Sequence, residues 1–99
     1  MSFSPGWATS ANGSSTSSSA TLHCRPGLDA RERELIVVAV RTTLGSSDPQ
    51  VRAHVRALRA IDVPYAEIEE AILQTAPYAG FPRAINALKV LREEQEAAA

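Results

Sequence analysis

Apolar residues crowd into the chain after residue 28, and from there on their spacing is helical. Leu35, Ile36, Val37, Val38, Ala39 and Val40 form one unbroken apolar run. Asp29 ahead of it is a good N-cap with Glu32 at N3, as a capping box requires, and Gly45 after Leu44 suits a left-handed C′ residue. A β-branched run also fits a strand, but the cap, the helix-length span and the want of a partner strand decide for a helix over 29–44. With no polar face, this helix is expected to be buried nearly all round. Ser47, Asp48 and Pro49 open a second helix, with Pro49 at N1 and Val51, Val55 and Leu58 on its inner face. The two make a helical hairpin, about 29–61, around which the chain is expected to be organised.

Asp62 and Val63 form the next turn, and Pro64 opens a third helix running through Ala76. Ile68, Ala71, Ile72 and Thr75 give it an apolar stripe, while Glu67, Glu69 and Glu70 populate its outside. Pro77 ends or kinks it. A Tyr78-Ala79-Gly80-Phe81-Pro82 link leads to a fourth helix with Pro82 at N1, inner residues Ile85, Leu88 and Leu91, and an acidic, alanine-rich end expected to fray. Ahead of all this, Ser10, Ser14, Ser15, Ser17, Ser18 and Ser19 crowd a stretch too polar to offset its ordering entropy. The expected organisation is a flexible tail over 1–24 and a helical domain over 25–99. Trp7 is the exception in the tail: it either docks into a groove or stays exposed. The fold class expected is all-α, a small bundle of about four helices.

Composition narrows the partners. A formal net charge of −1 across 99 residues argues against an electrostatic nucleic-acid binder. No apolar run reaches the length of about 18 residues that a membrane span requires. The opening MSFSPGWATSANGSS has neither a basic start nor an apolar segment, so a secretory signal is not expected. Cys24 is the only cysteine, which fits a reducing cytoplasm, and no second Cys or His stands at ligand spacing from the His23–Cys24 pair. A chain this short with one helix apolar on every side cannot cover its own surface, so an obligate homo-oligomer is expected.

The candidate chemistry sits on the hairpin. His54 falls three residues after Val51 and four before Leu58, on the inner face of the second helix, and Glu34 lies one turn inside the first. Both have a bland reading, His54 as a satisfied core residue and Glu34 as a carboxylate favoured by the helix dipole. Counting ~1.5 Å per residue from the turn, Glu34 lies on the order of 7 Å further along the hairpin than His54. Direct contact therefore requires tilted helices, a water or a substrate between them. Arg52, Arg56 and Arg59 form a stripe that is either a solvated face or a source of one substrate-orienting guanidinium. Asn86 suits a bond to a backbone group or a ligand, and Tyr78 and Phe81 suit an interface or core.

Two stretches carry a resemblance. RPGLDARERELIVVAV, and then VRAHVRALRAIDVPYAEIEEAILQTAPYAGFPRAINAL, resemble the carboxymuconolactone decarboxylase family over about residues 25–92. The RPGLD entry, the glutamate of RELI, the histidine of RAHVRAL and the closing YAGFPRAINAL carry the match by their order and spacing. The resemblance implies a small all-helical protein assembled as a trimer or hexamer, with sites at subunit contacts. It further implies decarboxylation of 4-carboxymuconolactone with no cofactor. A related branch, similar to alkyl hydroperoxide reductase partners, has a redox CxxC just before the matching histidine. Ser47 and Gln50 take those positions here, so thiol peroxidase chemistry is disfavoured. Family decarboxylases usually carry more helical sequence ahead of RPGLD, where this chain is serine-rich. Either Trp7 and its neighbours replace that segment, or the pocket is open and the original reaction is lost.

Three functions stay open on this reading. The first is a carboxy-lyase acting on a small lactone or carboxylic acid, with Glu34 and His54 as acid–base residues and Arg25, Arg41 and Tyr78 as substrate contacts. The second keeps the same pair for isomerisation or proton transfer on another carbonyl compound. The third is a non-catalytic oligomeric scaffold or binding module, in which His54 and Glu34 only satisfy each other.

Overall fold

The computed structural model describes residues 19–46 and 48–99. Trp7, the serines before Ser19 and Ser47 lie outside the described residues. Every regular element described is helical: α1 (Ser19–His23), α2 (Ala30–Leu44), α3 (Asp48–Ala60), α4 (Tyr65–Leu73), α5 (Ala76–Ala79) and α6 (Phe81–Ala98). The all-α class is as expected. The chain divides into two compact units, one through Ala30 and the other from Arg31 to Ala99.

In the first unit the tail expected through Cys24 gives way to helix α1 at Ser19, where the serine bias stops and Ala20 and Leu22 favour helix. The backbone N–H groups of Cys24 and Arg25 donate to the carbonyls of Thr21 and Leu22, each at 3.2 Å, and Cys24 is exposed.

In the second unit, local chemistry sets most boundaries. Helix α2 ends in a Schellman motif: Ser46 N–H donates to Arg41 O at 3.0 Å and Gly45 N–H to Thr42 O at 3.1 Å, with Gly45 at φ +71°. Helix α3 ends the same way, with Val63 N–H bonded to Leu58 O at 3.1 Å and Asp62 to Arg59 O at 3.0 Å. Here the left-handed position belongs to Asp62, φ +64°. Pro77 breaks the third helix earlier than expected. Its ring clashes with the carbonyl four residues back, that of Leu73, where α4 stops. A separate short helix, α5, then holds Pro77, and Gly80 caps α6 so that Pro82 is its second residue rather than its first. The acidic end of α6 stays helical to Ala98.

Helix α6, not the hairpin, is the element on which the others meet: α3, α4 and α5 all pack against it. Its buried residues are Ala84, Ala87, Val90 and Leu91, whereas Ile85, expected inside, is 50 % exposed. Small alanines let neighbouring helices come close, and that close approach outweighs the larger side chain next door. Val51, Val55 and Leu58 of α3 and Ile68 and Ile72 of α4 fill the core from the other side, as their spacing predicts.

Helix α2 departs furthest from expectation. Within the chain only Val38 and Thr42 are buried, and Ile36, Val40 and Leu44 are exposed by 50, 48 and 68 %. Side chains attach it: Arg31 pairs with Glu67, and Arg83 donates to the carbonyl of Thr43.

Candidate active site

Two polar rungs join α2 to α3. In the first, His54 Nδ1 lies 2.9 Å from Glu34 Oε2. The direct contact bridges the axial offset counted from the sequence. A carboxylate accepts, so Nδ1–H donates to it and Nε2 is the nitrogen left to exchange a proton. Both side chains are partly shielded, 26 % exposed for His54 and 17 % for Glu34. In the second rung, Arg41 Nη1 donates to Gln50 Oε1 at 3.0 Å. Gln50 precedes His54 by one turn of α3, and Arg41 follows Glu34 by two turns of α2, so the rungs are neighbours on one side of the pair.

Val51, Val55 and Leu58 are buried and anchor the inner face of α3, fixing the rotation that presents His54 beside them. Glu34 and Val38 are one turn apart on α2, so the burial of Val38 turns Glu34 toward α3. An imidazole oriented by a carboxylate, with its second nitrogen available to exchange a proton, is a general acid–base arrangement.

The other residues singled out in the sequence have settings of their own. Tyr78, on α5, is 81 % exposed. Arg25 belongs to the first compact unit, exposed after α1. The arginine stripe of α3 is occupied by protein partners. Arg52 reaches Asp48, Glu93 and Glu94, Arg56 grips Glu94 through two nitrogens, and Arg59 donates to Val63 O at 2.9 Å with its guanidinium 4.5 Å from the Tyr65 ring centre. The hydrogen bonds from Arg56 and Arg52 hold the Glu94 carboxyl below the usual carboxylate range. No cluster of three His, Cys, Asp or Glu side chains able to hold a metal occurs among the described residues.

A cleft of ≈ 330 Å³ opens between the end of α2, the start of α3 and the middle of α6. Arg41 lines it, together with Arg83, Asn86 and Lys89 from α6, but neither His54 nor Glu34 does. Arg83 and Lys89 carried no signal in the sequence, because only the fold brings the middle of α6 to the end of α2.

A family model for the carboxymuconolactone decarboxylase family matches residues 10–93. The chain belongs to that family. The match begins upstream of the RPGLD stretch and takes in part of the serine-rich segment. Among curated relatives, the 4-carboxymuconolactone decarboxylase of Acinetobacter baylyi is 41 % identical over 70 residues, which is 71 % of this chain and 51 % of the relative. The chain thus spans about half the length of that decarboxylase. No solved structure matches it. Within this carboxymuconolactone decarboxylase family member, no described helix is long and apolar enough to cross a membrane.

Proposed function

We propose that the chain is a decarboxylase-like lyase that acts on a small lactone or carboxylic acid without a cofactor. The observation that carries the reading is the 2.9 Å contact between His54 Nδ1 and Glu34 Oε2, in a member of a family whose relative is named for such a reaction. Cleavage of the C–CO2⁻ bond beside a carbonyl leaves its electron pair on an enolate. A proton must then reach the α-carbon. His54, doubly protonated and steadied by Glu34, gives that proton from Nε2 and regains one from solvent before the next turnover. Arg41, whose rung neighbours the pair, is the proposed substrate contact, as the partner of a carboxylate.

The reading includes assembly as a homo-oligomer, a trimer or hexamer. Support comes from Ile36, Val40 and Leu44, which recur every fourth residue on α2 and leave an apolar strip exposed.

The test is release of CO2 from 4-carboxymuconolactone. His54→Ala is expected to lower kcat by about 10²–10⁴-fold, and Glu34→Gln by less, because it keeps the ring in place but removes the charge. Unchanged turnover in both variants would discard the assignment. One observation favours a second reading, a binding module without catalysis: the cleft is lined by three cations and two carboxylates and not by His54. A protein that binds organic acids and turns none over would support it.

A further inference from the structure

The cleft beside Arg41 has a charge balance that the acid–base pair does not explain. Two carboxylates line it, those of Asp48 and Glu93. Both accept from Arg52, which lies outside the lining, at 3.1 Å from Asp48 Oδ2 and 2.6 Å from Glu93 Oε1, and which also bonds Glu94, so their charge is offset only in part. Among the described residues, none of the three lining cations bonds a carboxylate. Arg41 donates to the neutral amide oxygen of Gln50, Arg83 to the backbone carbonyl of Thr43, and Lys89 pairs with no carboxylate among the described residues. Three cations against two carboxylates leave the lining with a net positive charge, which gives the hollow a positive potential.

The rest of the lining points to an organic ligand. Val51, Ala87 and Val90 are buried at 3, 3 and 6 % exposure and give the hollow an apolar floor, and Asn86 adds an amide at its wall. A volume of ≈ 330 Å³ lies at the small end of ligand sites, which run from about 300 to 1,000 Å³. Planar guanidinium groups suit a carboxylate, which accepts two parallel N–H bonds. We propose that this cleft is a binding site for a small organic acid, with Arg41, Arg83 and Lys89 holding its carboxylate groups and the valine–alanine floor its carbon skeleton. The site shares Arg41 with the lyase reading, but its binding requires neither His54 nor Glu34.

The experiment is a titration of the full-length, ¹⁵N-labelled protein with glutarate at constant ionic strength, with inorganic phosphate as a second arm. Glutarate should give saturable amide shifts at the end of α2 and the middle of α6. Lys89→Gln and Arg83→Gln should each weaken binding by about tenfold, the loss expected for one charge-assisted contact. His54→Ala should leave glutarate affinity unchanged, even if it abolishes turnover. Lys89 is exposed, so its variant keeps the fold should Arg83→Gln disturb the end of α2. The proposal is overturned by shifts that do not saturate, by saturable binding indifferent to Lys89→Gln, or by phosphate binding as tightly as glutarate.

Discussion

Glu94 shows how much one side chain can organise. It is 10 % exposed, and both its oxygens accept hydrogen bonds from guanidinium groups on α3. Because the folded protein holds this carboxyl below its unfolded value of about 4.3, the pair stabilises fully above that pH. The stabilisation is lost as pH falls through the lower folded value. Glu94→Gln should therefore unfold at lower urea than the parent at pH 7, and the two midpoints should converge in acid, below the lowered folded value. A gap that persists in acid would show that packing, not charge, is what Glu94 supplies. The candidate site was legible in part at this scale. Glu34 and His54 stood out because each is an ionisable residue beside an apolar run, and the fold brings them into contact. Their chemical role rests on the turnover test. Gln50, Arg83 and Lys89 were not legible, since nothing local marks a polar residue that becomes important only when a distant helix arrives.

At the level of elements, most boundaries follow from single residues. Gly45 and Asp62 both occupy left-handed backbone at helix ends, and they predict opposite responses. Gly45→Ala places a Cβ at φ +71° and 3.4 Å from Arg83 Nε, and should cost about 1 kcal/mol of unfolding free energy. Asp62→Gly, at φ +64°, should raise it by about 0.5 kcal/mol. Chemical denaturation measures both, and equal signs would refute the backbone explanation. Gly45 as the end of α2 and the inner faces of α3 and α4 could be read from the sequence by this logic. The inner face of α6 could not. Alanine carries too little apolar signal to announce Ala84 and Ala87, and close approach between helices is a property of the fold.

For the whole molecule, the exposed strip on α2 is the feature that a single chain leaves unresolved. A six-residue apolar run predicts burial, yet this chain alone covers only part of it. The proposed assembly would reconcile the two, and it has a direct check. The parent protein should sediment as an oligomer at micromolar concentration, and Val40→Lys should shift it toward monomer while the helical content stays the same. A parent that sediments as a folded monomer removes the assembly proposal.

Cys24 offers a practical way to watch this happen. It is exposed and has no second thiol to compete with it, so a maleimide dye will mark each polypeptide once without mutagenesis. Mixing donor- and acceptor-labelled batches turns subunit exchange into a fluorescence signal whose rate reports how long one copy stays with another.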